Sequence, residues 1–364
     1  MVYILIIIAI LVILLLAFNK SAVPVFLYHQ VNPISSNVSP EIFEEHLKII
    51  KKYNMKTITI SEYYNNNINK NSMLLTFDDG YYDNFKYVFP LLKKYNMKAT
   101  IFLNTLYIMD KRESEPKIKD NNTVNLEAIK KYIENGKATI NQYMSWEEIK
   151  EMCDSGLIDF QAHSHKHMAI FTNTKIEGLT KKDRMEAPEL YLYRELEDNY
   201  PIFAKRGEYS GKAKIIKKKF FNIFKNFYEE NIENKITDKN EILKKCQEFI
   251  DKNSEYFSDE NEAEYKKRIE EDYLENKRLI EKNLGNQVKF FCWPWGHRSK
   301  ETIKILKELG VVGFISTKKG TNSMKPNWDM IRRIELRKYS PEKFKINLLV
   351  ARNLILGKIY GWIS

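Results

Sequence analysis

Short apolar runs alternate with stretches whose apolar positions recur every three or four residues, from residue 24 almost to the end of the chain. Residues 24–31 (PVFLYHQV) have the near-continuous apolar character of a buried strand. In 41–53, Phe43, Leu47, Ile50 and Tyr53 fall at helical spacing and predict an amphipathic helix. Residues 72–76 predict a strand running into Phe77-Asp78-Asp79-Gly80, and 83–95 a helix that Pro90 should break or kink. A strand at 98–104 (KATIFLN) follows. Ser145-Trp146-Glu147-Glu148 is a capping box and Gly156 a C-terminal stop, which together predict a helix over 146–155. The remaining elements are strands at 157–162 and 288–292, a helix at 298–309 closed by Gly310, and strands at 311–317 and 331–337. Such alternation is the mark of an α/β domain, and seven or so units predict a distorted (β/α)7-type barrel with its chemistry at the C-terminal ends of the strands.

Two stretches interrupt this rhythm. Residues 106–144 are polar and irregular, and a long, charged, helix-rich insertion without a repeat runs from about 170 to 264. Within it Ile216, Phe220, Phe224 and Phe227 form an apolar stripe beside Lys217, Lys218, Lys219 and Lys225. Such a helix either packs its stripe on the host domain or lies on an anionic membrane. At the other extreme, the first eighteen residues carry no charge (MVYILIIIAILVILLLAF), and residues 1–20 read as a transmembrane helix. At about 1.5 Å per residue the run spans roughly 27 Å, slightly less than a bilayer core of about 30 Å. A cleaved signal peptide would have a basic start and a small-x-small site, and neither is present. These absences favour an anchor, with a cleaved signal peptide and then a buried core helix as the alternatives. The domain proper is then 21–364, interrupted by the insertion. Lys20, the nearest charge, favours a cytoplasmic domain on the positive-inside rule, whereas the chemistry considered next favours an extracytoplasmic one on a single-pass cell-membrane protein.

Composition changes this picture little. With 43% apolar and 29% charged residues the chain can bury an ordinary globular core. The net charge of +11 favours an acidic partner, yet it comes largely from Lys in Lys/Asn/Ile-rich stretches, and no nucleic-acid role is assigned to it. Cys153, Cys246 and Cys292 are too few and too far apart for a disulfide framework or a close-paired structural zinc site.

Three short polar clusters lie at predicted strand ends. Asp78 and Asp79 are adjacent carboxylates where a strand becomes a loop, so their side chains diverge and can serve two roles, one toward a metal and one toward substrate. His163-Ser164-His165-Lys166-His167 offers imidazoles at i and i+4, a metal-ligand spacing. Two histidines and a carboxylate leave coordination positions open for water and substrate, and a second carboxylate can take a proton. The third cluster is Trp293-Pro294-Trp295-Gly296, whose indoles could stack on sugar rings. Separately, Asp-Asp-Gly is often only a turn, a histidine cluster a solvated loop, and a Trp-Pro-Trp-Gly a packed corner.

Together these segments resemble the polysaccharide deacetylase family (the NodB-homology fold, carbohydrate esterase family four). Its T-F-D-D-G motif is matched by Thr76 to Gly80, its H-S/T-x-x-H motif by His163, Ser164 and His167. Pro24-Val25-Phe26-Leu27-Tyr28-His29 and Phe291-Cys292-Trp293-Pro294-Trp295-Gly296 are similar to segments of the poly-N-acetylglucosamine deacetylase subgroup. The resemblance covers roughly 24–105, 145–169 and 265–340, and neither the apolar N-terminus nor the long insertion. It implies removal of N-acetyl groups from an extracytoplasmic N-acetylhexosamine polymer. Asp78 would be the catalytic base; Asp79, His163 and His167 would bind a divalent metal, most simply Zn2+, with Co2+, Ni2+ and Fe2+ as alternatives. Ser164 would orient the histidine loop, with His165 a spacer, and Trp293, Pro294 and Trp295 would contact substrate. Two departures stand out. The third motif lacks the Arg that pairs with the base in many members, and Arg333 is the candidate to supply that charge. The usual C-terminal L-x-x-H is not evident, which leaves His29, and after it His297, as candidate acids. Cys292 is expected to serve packing. Other readings are a deacetylase of a lipid-linked or small amino sugar, or a non-catalytic glycan-binding protein.

Overall fold

The computed structural model describes Ile6 and residues 21–34, 38–195 and 197–363. The predicted transmembrane segment at 1–20 lies outside the described residues apart from Ile6; among the described residues no helix is long and apolar enough to cross a membrane.

Eight parallel strands make one curled sheet: β1 (Val25–Tyr28), β2 (Lys56–Thr57), β3 (Ser72–Asp79), β4 (Ala99–Leu103), β5 (Ile158–Ala162), β6 (Phe290–Cys292), β7 (Gly313–Ile315) and β8 (Ile334–Glu335). Their spatial order is β7-β6-β5-β4-β3-β1-β8, with β2 paired to the first residues of β3. A parallel bridge between Ile315 and Ile331 brings the two ends of the sheet together. The result is the barrel-like α/β architecture expected from the alternation of elements. All eight residues of β3 are buried, as a strand covered on both faces requires. Registers Asp78↔Phe102 and Asp79↔Leu103 set the two carboxylates at the last rung of β3 against β4.

The helices cover the outside of the sheet. In α1 (Pro40–Lys52) the Ser39 side chain caps the Ile42 N–H and Phe43, Leu47 and Ile50 are buried, the face read from the sequence. His46 shares that face; its Nδ1 lies 3.0 Å from the Tyr28 hydroxyl and its ring stacks on Phe344. Pro90 does not break its helix. A π-helical turn at Asn84–Val88 carries the chain into α2 (Phe89–Tyr95), where Pro90 occupies the first turn and needs no N–H partner.

Residues 106–144 are more regular than their polarity implied. Asp120 caps α3 (Asn121–Asn135) through the Asn122 and Thr123 N–H groups, and Gly136 ends it in the left-handed region (φ 75°). The insertion is not chiefly helical at its start, where an antiparallel hairpin, Ala169–Leu179 with Pro201–Gly207, leaves the barrel. The helices α4 (Lys219–Asn231) and α5 (Lys239–Lys252) pack on it. Phe220 and Phe224 are fully buried against Phe249 and Phe257, so the aromatic stripe serves neither the host domain nor a membrane; it builds the insertion's own core. A long helix, α6 (Glu262–Leu284), returns the chain to the barrel under an Asn261 capping box. The described chain ends in α7 (Pro341–Ala351) and α8 (Leu354–Ile363), the latter beginning where Ala22 N–H bonds Arg352 O and Ser21 bridges Asn353.

Candidate active site

Adjacent carboxylates separate here because the backbone turns between them. Asp78 is still in strand conformation, while Asp79 (φ 77°) and Gly80 (φ 82°) are left-handed, an arrangement costly for the aspartate and close to obligatory for the glycine. A Cβ on Gly80 would meet Leu103 Cδ2 at 2.9 Å. The two carboxylates then make different partners.

Asp78, 2% exposed, receives a two-pronged bond from Arg333, Nη1 to Oδ1 at 2.7 Å and Nη2 to Oδ2 at 2.8 Å. The guanidinium is itself fixed by Nε donation to Ser316 O at 2.9 Å, and it lies 3.0 Å from Cys292 Sγ. Burial would raise the Asp78 carboxyl, but the Arg333 charge outweighs it and holds the group below the usual carboxylate range. Burial raises the Cys292 thiol, so it meets this pair as a neutral group. The thiol donates toward Asp78 Oδ2 at 3.5 Å, a polar contact that an expectation of plain packing did not include.

Asp79 faces the histidines. Its Oδ1 lies 3.4 Å from His163 Nε2 and 3.7 Å from His167 Nε2. His163 Nδ1 is 2.8 Å from the Cys292 carbonyl, an acceptor only, which puts the ring proton on Nδ1 and turns the Nε2 lone pair inward. Ser164 Oγ accepts the His167 N–H at 2.8 Å, and left-handed Ser164 and His167 shape the loop between the ligand candidates. Burial opposes a charge on His163, yet its Cys292, Asp78 and Asp79 neighbours outweigh it and raise its pKa; burial pushes His167 down to about 4. The guanidinium thus answers Asp78 alone, and the charge of Asp79 is left to draw a proton or another cation between it and the imidazoles.

That donor set fits a divalent metal. Donors held about 2.0–2.1 Å from a tetrahedral ion stand roughly 3.3 Å apart, close to both Asp79–imidazole distances. All three donor atoms fall within 4.8 Å of one another.

Other predicted residues separate into two groups. His29 lies at the rim, its Nδ1 3.8 Å from Glu335 Oε1. Trp295 is 39% exposed with its ring 4.3 Å from His167. Trp293 and Pro294, expected at substrate, are instead buried. Trp293 stacks on Phe314 at 5.0 Å and 10°, and the tight corner that follows turns only Trp295 outward. His297 Nδ1 accepts the Gly207 N–H at 2.9 Å, which ties the insertion hairpin to the third motif.

The support of the histidine loop was not evident in the sequence. Asp272 on α6 accepts the His165 N–H at 2.9 Å, the Lys166 N–H at 3.1 Å and the Tyr209 hydroxyl at 2.6 Å. One turn on, Asn276 Nδ2 donates to Ser164 O at 2.6 Å and Leu103 O at 2.9 Å. Their i, i+4 spacing on one buried helix face was the available signal.

A parallel α/β barrel with a carboxylate–guanidinium pair beside a two-histidine, one-carboxylate cluster has the parts of a metal-assisted hydrolase. The chain belongs to the polysaccharide deacetylase family, whose model matches residues 65–213 and 256–314, more than half its length. It is 37% identical over 91 residues to the Bacillus subtilis protein YxkH, assigned to the polysaccharide deacetylases, covering 23% of this chain and 33% of that one. It is 27% identical over 181 residues to the poly-beta-1,6-N-acetyl-D-glucosamine N-deacetylase of Staphylococcus aureus strain MRSA252, covering 49% and 52%. The matches thus span a third to about half of those relatives. Among solved structures, it resembles the BpsB deacetylase domain of Bordetella bronchiseptica (TM-score 0.56, 17% identity, 86% of this chain and 96% of that one). A de-N-acetylase of Aggregatibacter actinomycetemcomitans gives a TM-score of 0.57 at 16% identity, covering 89% and 98%. These last two likenesses show the fold.

Proposed function

We propose that the protein hydrolyses the N-acetyl groups of an N-acetylhexosamine polymer, with poly-N-acetylglucosamine the substrate its curated Staphylococcus relative indicates. The observation that carries this reading is the split between the neighbouring carboxylates, one paired with Arg333 and one facing two imidazoles. A divalent ion held by Asp79, His163 and His167 would supply Lewis-acid activation of water and of the acetamide carbonyl. Asp78, ionised through its guanidinium partner, accepts the proton of the attacking water as the new O–C bond forms. Its weak basicity makes it ready to release that proton again. Cleavage of the C–N bond then sends the nitrogen out as an amine, protonated from Asp78 or from His29 at the rim, with acetate as the second product. Trp295 offers an exposed ring on which a sugar face can stack. We place this reaction outside the cytoplasm, at a cell membrane held by the apolar N-terminal run, because the polymer is an extracellular material.

The test is acetate and free-amine release from N-acetylglucosamine oligomers by the zinc-loaded protein and its Asp78→Asn variant. Loss of about 10²–10⁴-fold in kcat with metal content unchanged is the expected result. His163→Ala should lose the metal itself. Turnover by the Asp78→Asn variant at the wild-type rate would remove Asp78 from the role of base.

A further inference from the structure

Helix α8 has two faces with opposite demands. Gly357 and Gly361, one turn apart, press on the barrel: a Cβ on Gly357 would meet Thr321 Cγ2 at 2.4 Å, and one on Gly361 would meet Lys319 O at 2.6 Å. Small residues at this spacing let the helix lie flat against the 319–321 backbone. The opposite face carries Ile355, Ile359, Trp362 and Ile363 at i, i+4, i+7 and i+8. Three of these are well exposed, Ile359 at 44%, Ile363 at 70% and Trp362 at 87%. On the preceding helix Ile346 is 60% exposed. An apolar stripe of this size is unusual on a surface that meets only water.

Two observations identify what covers it. The stripe lies in basic surroundings: from 338 to 363 the charged residues are Lys338, Lys343, Lys345, Arg352 and Lys358 against the single acid Glu342. Moreover, α8 starts at the point where the charge-free N-terminal run joins the fold, because Ser21 bridges Asn353. Only Asn19 and Lys20 separate that junction from Phe18, the last residue of the run. At no more than about 3.6 Å per residue, the three steps from Ser21 back to Phe18 span at most about 11 Å. A bilayer that takes up the run therefore has its headgroup level beside α8.

We propose that α8 is a second membrane contact, an interfacial helix that seats Ile359, Trp362 and Ile363 at the boundary of headgroups and acyl chains of an anionic bilayer. The surrounding lysines and Arg352 meet the lipid phosphates, and the indole takes the interfacial position that tryptophan favours. The catalytic domain is then held at two points and cannot swing freely about its N-terminal connection. This assignment rests on the membrane placement proposed above and not on the deacetylase chemistry.

The sequence supplies a convenient probe, since residues 1–20 contain no tryptophan. The full-length chain is reconstituted into vesicles of phosphatidylcholine and phosphatidylglycerol whose acyl chains are brominated near the headgroup. Tryptophan emission should be quenched in the wild type, and Trp362→Phe should lose most of that quenching while retaining circular dichroism and turnover. Replacing phosphatidylglycerol by phosphatidylcholine should weaken it. Equal quenching in wild type and Trp362→Phe would overturn the proposal, as would no quenching at all. A Trp362 shielded from brominated lipid but buried in a concentration-dependent dimer would assign the stripe to a second copy instead.

Discussion

The barrel and its insertion are built on opposite rules. The barrel buries titratable groups: Asp78, Asp79, Asp83, His46, His163 and Arg333 are all within 8% exposure. The core of the insertion is aromatic and aliphatic, from Phe171 through Phe220 and Phe224 to Ile250 with Cys246, and no histidine occurs between 169 and 259. The link between them combines polar bonds, Gly207 to His297, Tyr209 to Asp272 and Met168 N–H to Glu208, with apolar contact, the Tyr209 ring on Phe291 and Leu190 beside Val124 and Ala128. Catalytic geometry is thus concentrated in the part whose folding is electrostatically costly, while the insertion folds on apolar area and braces the histidine loop from outside.

Three perturbations separate the two regions, in order of expected effect. Arg333→Met leaves Asp78 buried without its counter-charge and should cost about 3–5 kcal/mol of stability together with most of the turnover. The Asp79–His163–His167 set should still bind metal. Denaturant titration beside metal analysis checks this, and a variant that also loses its metal would show the carboxylates acting as one unit. Phe220→Ala removes a fully buried ring and should lower the stability of the insertion by about 3–4 kcal/mol, with metal affinity little changed. Protection of amide hydrogens in α4 and α5 should fall while that of β3 and β4 holds.

The third perturbation is pH. Burial lowers the pKa of His46 to about 4, below the ordinary value of 6.5 that it regains on unfolding. The unfolded chain therefore binds a proton that the folded one refuses, and stability is lost as pH falls from about 6.5 to about 4. The loss from this residue is on the order of 3 kcal/mol. Asp83 adds the opposite slope, since burial raises its carboxyl to about 8 and so costs stability as pH rises from about 4 toward 8. Urea titrations at pH 7 and 4.5 on the wild type and His46→Gln isolate the first slope: the variant should be relatively more stable at pH 4.5, whatever the net change that Asp83 leaves.

How far these features could be read in advance depended on whether the signal was local. The strands preceding the Asp-Asp and histidine clusters were legible, because a strand buried on both faces leaves a continuous apolar run and its end a polar break. Arg333 was within reach of sequence reasoning only as the candidate for a charge missing from the third motif. The role of Asp272 and Asn276 was hidden, since on a largely charged helix two polar residues look like part of the wet face until tertiary contacts bury them. Trp293 misled in the reverse direction: motif context put both indoles at substrate, whereas a left-handed Trp295 sends alternate rings in and out. In α3 the Asp120 cap, Val124, Ala128, Ile129 and Gly136 formed a readable helix that overall polarity obscured.

The reach of the Arg333–Asp78 pair has a consequence for biosynthesis. Its partners lie 255 positions apart, so Asp78 emerges from the ribosome long before its counter-charge. At about 5–20 residues per second that interval is roughly 13–50 s. Throughout it, the nascent chain holds Asp78, and later the two imidazoles, without the guanidinium that burial of the carboxylate requires. On the proposed assignment the site is completed just before the last strand of the sheet is made, and a nascent chain that has not yet reached Arg333 carries the motifs without the activity.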